Sequence, residues 1–238
     1  MKVLPMLLAA AIPSLAADAL IVCDEVPAMK VLARQLEQRV RVTSEIVSQD
    51  HLPDSLSGYK AVLVYIHKDI AEAPEKAFID YAKGGGKLVL LHHSISSGKR
   101  KNKYWLPFLG VELPTKPFEE GGYKYFDPVN FEIVNLAPTN PITTKGVDYP
   151  KHDPPRLELR DTEVYLNHVL TGPRTILLGL QYLETKSKKL YSQSTTGWYR
   201  PAEKGGVYYF MAGHRAEDFE SPVYAQIIAN AVSTDLPM

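Results

Sequence analysis

The apolar positions of this chain fall into short uninterrupted runs separated by stretches with helical spacing. Residues 19–23, Ala-Leu-Ile-Val-Cys, are apolar throughout, which predicts a strand covered on both faces. Pro27 then opens a segment in which Met29, Val31, Leu32, Leu36 and Val40 share one side and Arg34, Glu37, Gln38 and Arg39 the other, the spacing of an amphipathic helix. Residues 41–47 return to β-branched types. The pattern repeats as a strand over 60–66, a helix over 72–82 and a strand over 87–91. Such strand–helix–strand units predict an α/β domain with a mostly parallel central sheet and right-handed crossovers. Gly84, Gly85 and Gly86 stand between helix and strand, so they stop a helix; a phosphate-binding loop needs strand, glycines and helix in that order.

Regularity drops over 94–128 and again over 147–156, with a strand expected over 129–135 and a turn at Asn140-Pro141. Further strands are expected over 174–183, 192–199 and 206–211. A closing helix follows Pro222, its apolar side formed by Tyr224, Ile227, Ile228 and Val232. There is no internal repeat and no linker, so one domain with insertions at one end of its sheet accounts for the pattern.

Composition narrows the function. The 238 residues are 45% hydrophobic and 23% charged, enough for one substantial core, and 27 basic residues balance 27 acidic ones. No net field draws the chain to nucleic acid or an anionic membrane, and Lys99, Arg100, Lys101 and Lys103 beside Tyr104 and Trp105 read as a solvated loop. The basic start Met1-Lys2, the apolar run 3–12 and the small residues of Pro-Ser-Leu-Ala-Ala at 13–17 read as a signal peptide over 1–17. Residues 18–238 would then form the mature domain, periplasmic or secreted. The run is too short for a stable membrane span, which takes about 20 residues. The lone cysteine, Cys23, excludes an internal disulfide and reads as a buried, inert thiol.

Candidate chemistry gathers where strands end, the side of an open parallel sheet on which ligands bind. His92 and His93 follow the strand at 87–91, His67 follows that at 60–66, and His214 follows that at 206–211. Imidazoles at these tips suit proton transfer or metal ligation. His92 is the first choice, because neighbouring strand side chains face opposite ways and His93 joins it only if the chain has turned. Convergence of His67, His92 and His214 would make a three-histidine metal centre, although no close-spaced His-Glu-x-x-His motif is present. A divalent metal is therefore left open as a cofactor. Residues 159–165 carry Asp161, Glu163 and Tyr165: Glu163 is a candidate general acid or base, or a group that orients a histidine, and the alternative is a solvated acidic turn. Tyr165, Trp198 and Tyr199 are candidates to offer flat faces to a sugar ring. No strand followed by Gly-x-Gly-x-x-Gly occurs, so the usual dinucleotide loop is absent.

The stretches 81–92 (Tyr-Ala-Lys-Gly-Gly-Gly-Lys-Leu-Val-Leu-Leu-His), 140–143 (Asn-Pro-Ile-Thr), 161–165 (Asp-Thr-Glu-Val-Tyr) and 205–214 (Gly-Gly-Val-Tyr-Tyr-Phe-Met-Ala-Gly-His) together resemble the ThuA-like, trehalose-utilisation family. Its fold is similar to that of class I glutamine amidotransferases, and the resemblance covers nearly the whole of the mature region. It implies a flavodoxin-like three-layer sandwich with a polar pocket whose roles fall on His92, Glu163 and His214, with His93, Tyr165, Trp198 and Tyr199 as substrate-binding candidates. The amidotransferase relatives carry a catalytic cysteine after the strand where this chain has His92-His93-Ser94, so cysteine-based glutamine hydrolysis is excluded. Ser94 lacks the Gly-x-Ser-x-Gly setting of a nucleophile. Two departures stand out: Asn140 replaces a histidine common before the Pro-Ile pair, and Thr162 separates an acidic pair usually adjacent. The expected function is carbohydrate processing by histidine and carboxylate acid–base chemistry, on a small-molecule carbohydrate. The alternative is a noncatalytic sugar-binding or assembly protein, with self-association left open.

Overall fold

The computed structural model describes residues 17–237; the expected signal peptide lies, apart from Ala17, outside the described residues. Among them, no helix is long and apolar enough to cross a membrane. The first part of the chain runs β1 (Ala19–Cys23), α1 (Val26–Val40), β2 (Ser44–Val47), β3 (Ala61–Tyr65), α2 (Glu72–Lys83) and β4 (Lys87–Leu91). Then follow α3 (Trp105–Leu109), β5 (Val111–Glu112), β6 (Lys124–Asn135), α4 (Pro141–Thr144), β7 (Lys151–His152), β8 (Pro155–Leu166), β9 (Val169–Leu170), β10 (Thr175–Leu183), β11 (Leu190–Ala202), β12 (Gly205–Phe210) and α5 (Pro222–Ser233).

The uninterrupted apolar runs are the central strands: every residue of β1, β3 and β4 is buried. Pro27 in the first turn starts α1, which buries Ala28, Met29, Leu32 and Leu36. Glu72 and Glu75 in the first turn of α2 and Lys83 in the last complement its dipole, and the glycines after it end the helix, Gly85 with φ +118°. These units build a parallel sheet in the order β2-β1-β3-β4-β12, the flavodoxin-like arrangement. The step from β1 to β2 runs one way along the sheet and that from β3 to β4 the other. Right-handed crossovers therefore put α1 and α2 on opposite faces, α1 beside α5 and α2 beside α3, which completes three layers.

Beyond β12 the sheet continues antiparallel as β11-β10-β6-β8-β7, ten strands in all among the described residues. The polar run around Arg160 and Asp161 is not a turn, because β8 passes through it; the extra length is absorbed by bulges. Between Phe126 and Val129 one extra residue lies on β6, and between Val129 and Phe131 one extra lies on β8, which bends and twists the hairpin. Flat, the five steps from β4 to β8 would span about 24 Å at roughly 4.8 Å per strand. Yet Glu163 of β8 touches His92 just beyond β4, so the antiparallel arm curls back over the C-terminal edge of the parallel half.

Lys99 departs from the expected solvated basic loop. It is fully buried, and its Nζ donates to the carbonyls of Ile66 (2.9 Å), His67 (3.2 Å) and Lys68 (2.6 Å), tying down the loop after β3. The Cys23 thiol is buried, as read, and burial pushes it up to about 11.

Candidate active site

The chain turns at the first residue after β4. His92 has φ 42°, a left-handed conformation that costs energy in a non-glycine residue and marks strained, functional positions. The short helical turn over His92–Ser94 brings His92 and His93 into contact at right angles, ring centres 4.0 Å apart. His93, second to His92 on strand alternation, thereby joins the same cluster.

Three imidazole nitrogens from two strand-end loops meet one carboxylate oxygen. Glu163 Oε2 lies 2.9 Å from His92 Nε2, 3.4 Å from His93 Nε2 and 3.6 Å from His214 Nδ1, while His92 Nε2 and His214 Nδ1 are 3.3 Å apart. His67 does not share in this. Its ring lies against His93 with centres 3.4 Å apart, and its backbone and side chain turn to Asp24 and Glu25. The expected His67–His92–His214 centre is thus replaced by His92, His93 and His214, whose donor atoms with Glu163 all lie within 4.8 Å of one another.

Hydrogen bonds to backbone carbonyls fix these loops. His92 Nδ1 lies 2.6 Å from Met211 O; a carbonyl only accepts, so Nδ1 carries the hydrogen, and Nε2 faces Glu163 as a lone pair in the neutral ring and as a donor in the imidazolium. Tyrosine hydroxyls pin the backbone around both histidine loops: Tyr209 to His92 O (3.2 Å), Tyr65 to Gly213 O (2.8 Å) and Tyr224 to Ala212 O (2.8 Å). The buried Thr162 hydroxyl donates to Asp218 Oδ2 at 2.6 Å, and Arg215 pairs with Asp161 at the surface. Glu163 is therefore flanked by two links between its strand and the His214 loop.

Electrostatics follow from burial. Burial raises the Glu163 carboxyl, but its contacts with His92 and His93 outweigh that and hold it well below the usual carboxylate range. Burial and then repulsion from His92 push His93 down to about 3, against the pull of Glu163. At neutral pH the centre holds an ionised carboxylate and a neutral His93, and Glu163 Oε2 and His93 Nδ1 are buried without a hydrogen-bond partner. His214 is the more exposed ring, its side chain 27% accessible.

Among the aromatic candidates, Tyr165 is at the site but fully buried. Its ring stacks on His92 at 4.9 Å and its hydroxyl is 3.3 Å from His92 Nε2, so it positions the imidazole and offers no face to a ligand. Trp198 and Tyr199 lie elsewhere: Trp198 is buried between Tyr209 and Arg174, and Tyr199 packs on Tyr208 and Gly206. Ser94 donates to Val64 O at 2.6 Å and is fully buried, which removes it as a nucleophile. Asp127 was not singled out in the sequence. It lies 3.8 Å from His214 Nε2 and also lines a 680 Å³ hollow with Phe118, Phe126, Tyr182 and Tyr191. Nothing in the sequence marked it: Asp127 is a single carboxylate between two aromatics and a proline at 125–128.

The family model for trehalose utilisation, ThuA, matches residues 20–233. The chain belongs to the ThuA family. A ThuA-like protein of Bacteroides uniformis ATCC 8492 is similar in structure, with TM-score 0.62 and 16% identity, over 94% of this chain and 93% of that one. The fold also recurs inside larger proteins. A cold-adapted β-galactosidase of Rahnella sp. R3 gives TM-score 0.59 and 14% identity over 90% of this chain and 30% of its own. The carbohydrate deacetylase Agd3 gives 0.60 and 10% over 91% and 32%. No curated protein matches this ThuA chain in sequence.

Proposed function

We propose that this ThuA chain processes a carbohydrate by acid–base chemistry, with Glu163 as the general base and His214 as the group that exchanges protons with substrate and solvent. The observation that carries the reading is the convergence of His92, His93 and His214 on Glu163 Oε2 within 3.6 Å. The carboxylate is held ionised at neutral pH, so it stands in the form that accepts a proton. His92, its Nδ1–H held by Met211 O, orients the carboxylate as an Nε2–H donor when the ring is protonated, and His214 stands between Glu163 and Asp127.

That placement argues against direct glycoside hydrolysis, which needs two carboxyl groups flanking an open bond; here an imidazole ring lies between them. Proton abstraction next to a sugar carbonyl, leading to enolisation or elimination, fits better. The aromatic hollow beyond Asp127 gives the remainder of a saccharide a surface to lie on. The reading includes export directed by residues 1–17, which N-terminal sequencing of protein recovered from the cell envelope and medium would test.

The test is deuterium incorporation by NMR when aldose and ketose sugars and oxidised disaccharides are incubated with the protein in heavy water. Wild-type protein should exchange the hydrogen next to the carbonyl, and Glu163→Gln should lower the rate at least about 100-fold while the chain stays folded. The occurrence of the fold as about a third of a β-galactosidase chain favours a second reading, a noncatalytic sugar-binding or assembly role. Saccharide binding without exchange, unaltered by His92→Asn and His214→Ala, would establish it.

A further inference from the structure

We infer that His92, His93, His214 and Glu163 bind one divalent transition-metal ion through His92 Nε2, His93 Nε2, His214 Nδ1 and Glu163 Oε2. The inference deepens the proposed carbohydrate chemistry and rests on it for the site at which substrate meets the ion.

Distances come first. Metal–ligand bonds of about 2.0–2.1 Å put the corners of a tetrahedral ligand set about 3.3–3.4 Å apart. The measured separations are 2.9, 3.4 and 3.6 Å from Glu163 Oε2 to the three imidazoles and 3.3 Å between His92 Nε2 and His214 Nδ1. All four atoms fall within 4.8 Å of one another. They enclose the volume of one ion with displacements of a few tenths of an ångström at most of these contacts.

Lone pairs come second. His92 gives its Nδ1 hydrogen to Met211 O, so in the neutral ring its Nε2 and Glu163 Oε2, 2.9 Å apart, are two acceptors facing each other. A buried acceptor without a donor is costly, and Glu163 Oε2 has no hydrogen-bond partner. One added proton on His92 would relieve this contact only; a cation at the centre relieves all four atoms together.

The surroundings match those of metal ligands in general. A ligating histidine characteristically donates its other nitrogen to a backbone carbonyl, as His92 does, and the backbone carbonyl of His92 is itself held by Tyr209. Three imidazoles with one carboxylate suit zinc, iron, nickel, cobalt or manganese better than calcium or magnesium, which favour all-oxygen ligands. His92 is wholly buried and His214 partly exposed, so the centre opens on one side, where a sugar oxygen would approach. The ion would there supply Lewis acidity, while Glu163 keeps its other carboxylate oxygen, and His214 its Nε2 toward Asp127, for the substrate.

The experiment is a titration of chelator-treated, dialysed protein with Co(II), followed by its visible absorption, and with Zn(II), followed by calorimetry. One equivalent should bind, with histidine-ligated Co(II) bands. His214→Ala, a partly exposed position unlike buried Glu163, should weaken affinity at least tenfold with unchanged circular dichroism; His93→Ala should do the same. Absence of Co(II) bands, or equal affinity in wild type and both variants, overturns the inference and leaves an imidazolium–carboxylate pair. Sugar deuterium exchange by metal-free protein, unaltered by added metal, would overturn a catalytic metal while leaving the acid–base reading intact. Stoichiometric metal without exchange on any sugar would do the reverse.

Discussion

The hydroxyl of Thr162 donates to Asp218 Oδ2 at 2.6 Å in a fully buried contact, joining the strand of Glu163 to the loop of His214. Asp218 Oδ2 also accepts from the backbone of Arg215 at 3.3 Å. Thr162→Val leaves this carboxylate short of a buried donor and should cost about 1–3 kcal/mol, seen as a lower urea midpoint; Thr162→Ser should recover most of it. The neighbouring Arg215–Asp161 pair is exposed, so Arg215→Ala should change stability by less than about 1 kcal/mol. Equal losses in the two variants would contradict the ranking of buried over exposed links.

Lys99 makes the second prediction. Burial pushes its ammonium down to about 8, and three carbonyls of the loop after β3 depend on it. Lys99→Met should cost about 2–4 kcal/mol, and faster amide exchange should be confined first to residues 66–68. Lys99→Arg should not rescue, because a planar fork does not fit a site shaped for a compact ammonium.

Gly213 precedes His214 with φ +122°, and a Cβ there would meet the Phe219 ring at 2.5 Å. Gly213→Ala combines backbone strain with a clash in the core, so about 2 kcal/mol or more should be lost. For a chain of this length that is a fall in Tm of roughly 4–8 °C, and calorimetry would check it. An unchanged Tm would mean that the loop carrying His214 is free to rearrange.

Acid sensitivity follows from His168, enclosed by Tyr123, Tyr165 and Tyr209. Burial pushes it down to about 3. Between pH 6.5 and 3 the unfolded chain takes up a proton that the folded chain refuses, so stability is complete above about pH 6.5 and falls as acid is added. The slope is ~1.4 kcal/mol per pH unit for this residue, and His93 contributes in the same direction. Urea midpoints measured from pH 7 to 5 should fall for the wild type and flatten in His168→Phe; parallel curves would assign the effect to other groups.

The parallel half was legible in the sequence because β1, β3, β4 and β12 are buried throughout, and the apolar run at 19–23 begins and ends with β1; only the edge strand β2 is half-exposed. β8 was not, because polar residues occupy its bulge and interrupt alternation at Arg160 and Asp161. Strand-tip logic located His92 and His214, and Glu163 was visible as a carboxylate beside a tyrosine. His93 was ranked low by a rule that assumes extended backbone, whereas φ 42° at His92 ends the strand one residue earlier. Trp198 and Tyr199 illustrate the opposite error: an aromatic in a strand looks the same in sequence whether it meets a sugar or another ring. Lys99 sits in a basic run in which Lys101 and Lys103 face water and Arg100 caps Leu113 O, and only three-dimensional packing separates it from them.

The curled arm carries a further consequence. Side chains along β8 point alternately to one surface and the other, so the paired bulges on β6 and β8 act as a phase adjustment for the whole hairpin. Deleting one residue from the bulge would shift that phase by half a period, leave the imidazoles in place, and turn Thr162 or Val164 toward them instead of Glu163. Whether this scaffold bears a reactive group or a mute surface is thus decided by spacing near Asp161, not by any change to the histidines.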